Sequence, residues 1–138
     1  MGNPTTVLIA DDNYLMRGSL KMIIGGMDNV VLVGEATNGE EALEMVKRLS
    51  PDIILMDINM SPVNGFEASR KILKINPNIK IIALSLHNKA SYAKNMFQLG
   101  AYAYVSKSSP HNDLIAAITK VIKGEKYLDK GLEGQVDI

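Results

Sequence analysis

The stretch IILMDINM, residues 53–60, decides the fold. Its first four residues are apolar, and an acidic residue, Asp57, follows them directly. An uninterrupted apolar run of this length predicts a strand that is covered on both faces, as the central strands of a parallel sheet are. Four more short apolar or β-branched runs recur along the chain, at residues 6–10, 30–33, 79–84 and 103–105. We therefore expect five strands, several of them buried on both faces.

Segments with helical spacing lie between and after these strands. Apolar residues recur at three- and four-residue steps in residues 20–27, 42–49 and 114–122, and residues 66–73 and 92–99 form segments of similar length. Such a stripe packs one face of a helix on a sheet. Strand and helix alternate five times, which predicts an α/β fold: a three-layer, doubly wound (βα)5 domain with a five-stranded parallel sheet. We expect the common strand order 2-1-3-4-5, as in flavodoxin-like folds.

The length and the turn residues indicate one domain. A chain of 138 residues with 46% apolar side chains can bury one sizeable core. Ser109 and Pro110 are expected to cap and to begin the last helix. The apolar periodicity stops at Gly124. We therefore place the domain at residues 5–124 and expect residues 125–138 to be a polar tail or the start of a linker.

The composition excludes several classes of function. Fifteen basic and fifteen acidic residues give a net charge of zero, so the bulk charge does not favour nucleic acid or an anionic membrane as a partner. The chain has no cysteine, which excludes a thiol nucleophile and a thiolate metal site and favours a reducing, intracellular compartment. Its longest apolar runs are far shorter than the roughly 20 residues that span a bilayer, and no export signal is visible. We expect a soluble, cytoplasmic protein without a membrane partner.

Chemistry-bearing residues follow the predicted strands. Asp11 and Asp12 come after the first strand, Asp57 after the third, Ser85 after the fourth and Lys107 after the fifth. Ligands of open parallel sheets bind outside the carboxyl ends of the strands, where the strand order reverses. In the order 2-1-3-4-5 this point lies between the first and third strands, which carry the three aspartates. We expect all five side chains at one edge of the sheet.

Each aspartate taken alone could be structural, because Asp12 or Asn13 could cap the helix that starts near Tyr14. The three carboxylates together would repel one another, and a divalent cation would relieve that repulsion. Magnesium, which binds through one or two carboxylates with water and phosphate oxygens, matches a cluster that lacks His and Cys. Asp57 is the best candidate for a nucleophile that accepts a phosphoryl group, and Lys107 would balance the charge of that group.

Other devices for phosphate or catalytic chemistry are missing from the sequence. It contains neither a P-loop nor a Gly-x-Gly-x-x-Gly motif after the first strand, which disfavours a nucleotide or flavin domain. His87 and His111 lie far apart in the sequence and have no acidic neighbours, which disfavours a zinc site or a catalytic triad.

The five strand-end residues, in this order, resemble the receiver domain of bacterial two-component response regulators over residues 5–124. The resemblance implies that Asp11 and Asp12 are the acidic metal-binding pair and that Asp57 is the phosphoacceptor. It implies further that Ser85 is the switch hydroxyl and that Lys107 is the lysine of the phosphorylation site.

The resemblance extends to two more positions. Asn59, two residues after the phosphoacceptor, matches the position whose backbone carbonyl joins the Mg²⁺ shell in that family. Tyr104, three residues before the lysine, matches the aromatic residue that changes rotamer on activation. We expect the side chains of Asn59, Leu86 and His87 to border the access path to the phosphoryl group.

This chain departs from the family pattern at three places. Ser61 stands where proline is usual, and Pro62 comes one residue later. Leu86 stands where a small residue is common, which would narrow access to the phosphoryl group. Ser108 comes after the lysine where a proline with a cis bond is frequent, so a cis bond is not assumed here.

The function implied by the resemblance is a Mg²⁺-dependent regulatory switch. A histidine kinase or a small phosphodonor would supply the phosphoryl group to Asp57, and the protein would catalyse only its own phosphorylation and dephosphorylation. A changed surface would then alter partner binding, including a possible homodimer. Residues 124–128 resemble the segment after the receiver in regulators with a helix-turn-helix output domain, so DNA would be bound, and transcription regulated, only through a domain outside this chain.

Two alternatives stay open at this point. One is a small Mg²⁺-dependent phosphatase that works through an aspartyl phosphate, although such an enzyme would want a second acid where Asn59 stands. The other is a receiver that only scaffolds a complex, although such a protein would be expected to lose Asp57 or Lys107.

Overall fold

The computed structural model describes residues 2–60 and 64–138. Strands and helices alternate in the order β1 (Thr5–Ala10), α1 (Tyr14–Gly25), β2 (Val30–Ala36), α2 (Gly39–Leu49), β3 (Ile53–Asp57), α3 (Gly65–Ile75), β4 (Lys80–Ser85), α4 (Ala90–Leu99), β5 (Ala103–Ser106), α5 (His111–Ile122) and β6 (Tyr127–Leu128), followed by a 3₁₀ turn (Lys130–Leu132). None of the helices in the described part of the chain is long and apolar enough to cross a membrane.

The strands form one parallel sheet in the order β2-β1-β3-β4-β5-β6. The predicted order 2-1-3-4-5 is therefore confirmed, and a sixth strand is added at the β5 edge. β3 lies between β1 and β4, with Ala10 opposite Met56 and Met56 opposite Ala83. The four apolar residues of β3 are buried, as their uninterrupted run predicted, and Asp57 at the end of the strand is buried as well.

Two separate cores show why the apolar runs do not alternate. Leu8 and Ile54 pack in the core on one face of the sheet, whereas their neighbours Val7 and Ile53 pack in the core on the other face. Successive side chains of a strand point to opposite faces, so a strand covered on both sides must be apolar throughout. Each fully buried aliphatic side chain of this kind contributes about 1.5–3 kcal/mol. The three-layer architecture is confirmed.

Asparagine side chains begin three of the helices. Asn13, Asn38 and Asn64 each accept a hydrogen bond from a backbone N–H of the first helical turn of α1, α2 and α3, respectively. Asn13, and not Asp12, therefore caps α1. The predicted cap of α5 by Ser109 is wrong, because Pro110 occupies the cap position and the Ser109 hydroxyl bonds elsewhere.

The prediction of a polar tail at residues 125–138 is wrong. β6 pairs with β5, and the N–H of Asp129 donates to the carbonyl of Tyr104 at 2.8 Å. Leu132 and Val136 are buried against the core. Without this segment β5 would be an edge strand with unpaired backbone groups. The segment holds too few apolar residues to show a period, so its packing was not visible in the sequence.

Candidate functional site

The carboxyl edge of the sheet brings the predicted acidic residues together. Asp11 follows β1 directly, and Asp57 is the last residue of β3. One carboxylate oxygen from each of Asp11, Asp12 and Asp57 lies within 4.8 Å of the others. Asp11 and Asp57 are buried, whereas Asp12 is exposed. The three carboxylates therefore form one cluster with a solvent-facing side.

Lys107 joins this cluster from the end of β5. Its ammonium nitrogen lies 2.9 Å from Oδ2 of Asp11 and 3.1 Å from Oδ2 of Asp57. The side chain of Lys107 is 8% exposed, and those of the two aspartates are 0% and 1% exposed. Two buried carboxylates thus share one ammonium group, which leaves an excess of negative charge in the site.

Backbone hydrogen bonds fix the two buried carboxylates in the same way. The N–H of Asn13 donates to Oδ1 of Asp11 at 2.8 Å, and the N–H of Asn59 donates to Oδ1 of Asp57 at 2.8 Å. Oδ2 of Asp11 is buried and, apart from its contact with the ammonium of Lys107, has no hydrogen-bond donor among the described residues. This oxygen has unused capacity to bind a cation.

Asp57 has a perturbed acidity. Burial raises the pKa of Asp57 to about 6, and the charge of Asp11 acts in the same direction. The N–H of Asn59 and the ammonium of Lys107 lower the pKa, but they do not offset the burial. Asp57 therefore holds its proton to a higher pH than an ordinary aspartate does when no metal ion is bound.

Ser85 and Tyr104 meet at one backbone carbonyl. The buried hydroxyl of Ser85 donates to the carbonyl oxygen of His87 at 2.9 Å and accepts from the N–H of His87 at 3.0 Å. The hydroxyl of Tyr104 donates to the same carbonyl at 2.7 Å. Tyr104 is fully buried, and this burial raises its pKa. The inward orientation of Tyr104 is the one present, and the Ser85 hydroxyl is bonded within the β4–α4 loop.

Asn59, Leu86 and His87, the three residues predicted to border the access path to Asp57, lie near one another. Oδ1 of Asn59 accepts a hydrogen bond from the N–H of Leu86 at 3.1 Å. The side chain of Leu86 is 64% exposed and lines the same surface cavity as Asp57. His87 is also exposed, and its ring lies 6.4 Å from the ring of Tyr92. Asn59 and Leu86 therefore line the cavity. The His87 side chain is not among the residues that line it, and the backbone carbonyl of His87 accepts hydrogen bonds from Ser85 and Tyr104.

The first residue of α3 lies close to the end of β3. The substitutions at Ser61 and Pro62 lie outside the described residues. Gly65 begins α3 so close to β3 that a side-chain carbon there would meet the carbonyl of Asp57 and the Cα of Ile58. Only glycine fits this approach without a shift of the backbone.

Two residues of this region were not found by sequence reasoning. Arg17 of α1 donates to the carbonyl of Asp11 at 2.9 Å and pairs with Glu35 at 3.4 Å. Asp129 is buried and receives hydrogen bonds from Asn88 of the β4–α4 loop and Ser109 of the β5–α5 loop, which lie beside the site. The apolar pair Tyr127–Leu128 before this aspartate was the available signal for a further strand end.

Comparison with known proteins identifies the class to which this fold and site belong. The family model of the response regulator receiver domain matches residues 7–119, which is most of the chain. The chain therefore belongs to this family, and the predicted resemblance is confirmed. It is a receiver domain of the two-component response regulators, which act in signal transduction.

Relatives of this domain include full-length regulators. The chain is 36% identical to the transcriptional regulatory protein DegU of Brevibacillus brevis over 126 residues, which are 91% of this chain and 53% of DegU. It is 32% identical to the response regulator GacA of Pseudomonas viridiflava over 130 residues, which are 94% of this chain and 61% of GacA. The chain thus spans little more than half the length of the curated relatives it matches.

Solved structures agree with this assignment. A two-component response regulator of the LuxR family from Aurantimonas sp. SI85-9A1 is 26% identical and superimposes with a TM-score of 0.90, covering 94% of this chain and 93% of that one. The receiver domain of the response regulator NarL from Mycobacterium tuberculosis is 25% identical with a TM-score of 0.84, covering 90% of this chain and all of that domain.

Proposed function

We propose that Asp57 accepts a phosphoryl group from a histidine kinase or a small phosphodonor and that this event switches a protein-interaction surface. The observation that carries the proposal is the pair of contacts from Lys107 to Asp11 and Asp57. The buried carboxylate of Asp57 and the ammonium of Lys107 line one cavity that opens to solvent, which supports the roles of nucleophile and of phosphoryl-binding cation that we propose for them.

The residues present fit a Mg²⁺ ion. The donors are hard carboxylate oxygens from Asp11, Asp12 and Asp57, and Oδ2 of Asp11 has unused binding capacity. We propose the backbone carbonyl of Asn59 as a further ligand. When bound, the ion would offset the excess negative charge and orient the phosphoryl oxygens.

The protein side of the transfer follows from these contacts. An oxygen of Asp57 attacks phosphorus, the bond from phosphorus to the donor breaks, and its electron pair leaves with the donor. Lys107 already neutralises negative charge at this point, and it then pairs with a phosphoryl oxygen in place of the carboxylate. We propose that the Ser85 hydroxyl leaves its present bond to the His87 carbonyl and donates to another phosphoryl oxygen.

We propose that the response passes through the His87 carbonyl. Ser85 and Tyr104 both donate to it, so moving the Ser85 hydroxyl to the phosphoryl group changes how the β4–α4 loop is held. The surface of α4, β5 and α5 would then change its affinity for a partner, including a second copy of this chain. The name of the relative DegU supports transcription control, with DNA bound through a domain outside this chain.

We propose a regulatory role without turnover of an external substrate. A phosphatase of this kind would need a second acid two residues after its nucleophile. Asn59 stands there, and an amide side chain cannot act as a general acid in this way. Its side-chain oxygen instead accepts a hydrogen bond from the N–H of Leu86. A scaffold without phosphorylation would have no use for a buried lysine shared by two aspartates.

Intact mass after incubation with acetyl phosphate and Mg²⁺ tests the proposal. We expect the wild type to gain one phosphoryl group, Asp57→Asn to gain none, and a chelator to abolish the gain. Asp28→Asn, which removes an exposed carboxylate at the opposite edge of the sheet, is the matched control and should be labelled as the wild type is. Unchanged labelling of Asp57→Asn, or multiple turnover of p-nitrophenyl phosphate, would contradict it.

A further inference from the structure

Asp129 holds two loops and the end of the chain together. Its carboxylate is almost fully buried, with the residue 3% exposed. Oδ1 accepts from the N–H of Ser106 at 3.1 Å and from the hydroxyl of Ser109 at 2.6 Å. Oδ2 accepts from the side-chain amide of Asn88 at 3.2 Å and from the N–H of Gly131 at 3.0 Å.

These contacts exceed what a helix cap requires. The bond from Gly131 caps the 3₁₀ turn that begins at Lys130. Of the other three donors, Asn88 belongs to the β4–α4 loop, Ser106 is the last residue of β5, and Ser109 belongs to the β5–α5 loop. A cap could form at the surface without them. A carboxylate is buried only at a considerable cost, which these additional hydrogen bonds offset.

Both loops carry residues of the phosphorylation site. Lys107 lies between the two serines that donate to Oδ1, so this carboxylate braces the segment that presents the lysine. Asn88 lies three residues after Ser85 and directly after His87, whose carbonyl accepts from Ser85 and Tyr104.

The backbone gives a second connection. The carbonyl of Tyr104 accepts from the N–H of Asp129 at 2.8 Å, while the hydroxyl of Tyr104 donates to the carbonyl of His87 at 2.7 Å. Tyr104 therefore contacts the β4–α4 loop through its hydroxyl and Asp129, the residue directly after β6, through its backbone carbonyl. Gly131 is so close to Asn88 that an added side-chain carbon would meet its amide nitrogen.

We propose that Asp129 is a positioning residue that couples the phosphorylation site to residues 127–136, which we call the C-terminal segment. The inference rests on the proposed function, because it concerns the phosphoryl group on Asp57. When the Ser85 hydroxyl turns to that group, the His87 carbonyl keeps the Tyr104 hydroxyl as its donor. This favours the inward Tyr104 and, with it, the docked C-terminal segment.

Coupling of this kind is reciprocal. If phosphorylation of Asp57 favours the docked C-terminal segment, docking of that segment must favour phosphorylation of Asp57 by the same free energy. Loss of the Asn88 contact should therefore weaken both effects, and the change should be of the size of one hydrogen bond, roughly two- to tenfold.

Hydrogen exchange of the whole chain with and without beryllofluoride and Mg²⁺ tests the coupling. In the wild type we expect beryllofluoride to slow exchange of the C-terminal segment amides by roughly two- to tenfold. Asn88→Ala and Gly131→Ala, which disturb the Asn88 contact but keep the buried carboxylate, should lose most of this difference. Asn78→Ala, at an exposed loop position before β4, is the matched control and should keep it.

The result can be separated from that of the proposed function by measuring acetyl phosphate labelling of the same samples. Labelling with no change in segment exchange overturns the coupling and leaves the proposed function intact. A change that persists in Asn88→Ala and Gly131→Ala also overturns the role of the Asp129 contacts. Absence of labelling in the wild type overturns both. Asp129→Asn serves as a further variant, and slower labelling with a smaller exchange difference is the expected result.

Discussion

The ammonium nitrogen of Lys107 lies 3.1 Å from Oδ2 of Asp57, and both side chains are buried. The same ammonium also serves Asp11, so neither carboxylate has a cation of its own. A buried pair must be well bonded to offset the cost of removing both charges from water. The site is therefore arranged for added positive charge and not for maximal stability of the metal-free protein.

We expect Asp57→Asn to stabilise the metal-free protein near neutral pH. The pKa of Asp57 is raised to about 6 in the folded state, above the unfolded value of about 3.9. Because the folded state holds the proton of Asp57 more tightly, this proton stabilises the fold below the unfolded pKa, and the stabilisation is lost as pH rises through about 6. At pH 7.5 the free energy of unfolding of the variant should exceed that of the wild type by about 1–3 kcal/mol. This difference should shrink toward pH 4. Urea unfolding in a chelator measures it.

Asp12→Asn is the control for this effect. Asp12 belongs to the same cluster but is exposed, so its removal should change metal-free stability by less than about 0.5 kcal/mol. Both variants should gain less stability from added Mg²⁺ than the wild type does. If Asp57→Asn is less stable than the wild type at pH 7.5, its carboxylate is a structural acceptor.

Leu86 limits access to Asp57 in our interpretation of the cavity. Leu86→Ala should speed labelling by acetyl phosphate and shorten the lifetime of the acyl phosphate, each by less than about tenfold, because access changes and the reacting groups do not. Met22→Ala is the control, since Met22 is 80% exposed on α1 and does not line this cavity. Time courses of intact mass measure both rates. Equal rates in Leu86→Ala and the wild type would show that access is not limiting.

The Tyr104 hydroxyl should contribute to stability through the His87 carbonyl. Tyr104→Phe removes the 2.7 Å hydrogen bond and keeps the ring, so we expect a loss of about 0.5–1.5 kcal/mol in the free energy of unfolding. Tyr14→Phe, at a ring that is 78% exposed, should be nearly neutral. Urea titration compares the two variants, and an unchanged midpoint for Tyr104→Phe would contradict the expected bond.

Gly65 is required by the closeness of two backbones. Gly65→Ala places a carbon against the carbonyl of Asp57, so β3 or α3 must shift, and we expect a loss of more than about 2 kcal/mol with slower labelling at Asp57. Gly18→Ala is the matched control. Gly18 lies inside α1 with open space around it, and the substitution should stabilise by about 0.5–1 kcal/mol. Circular dichroism melts rank the variants. Equal stability of Gly65→Ala and the wild type would contradict the close approach of Gly65 to the backbone of Asp57 and Ile58.

The sequence was informative where a local pattern favoured one structure. The apolar run before Asp57 is short and follows a turn signal, which favours a strand covered on both faces, and the structure buries every residue of β3. Asp11 and Lys107 follow different strands, and the topology then predicted that they lie close together, because the carboxyl ends of parallel strands share one edge. The segment after Gly124 had no such pattern, and its sixth strand was missed.

The sequence by itself determined the alternation of strands and helices, the edge of the sheet that holds the site and the family of the protein. These follow from periodicity and from residue types at strand ends, which are local properties. Only the tertiary structure decided that Lys107 is shared by two aspartates, that Tyr104 points inward and that Asp129 is bonded by two loops. Each of these is a contact between residues far apart in the chain, and its distance and burial are set by how the layers pack.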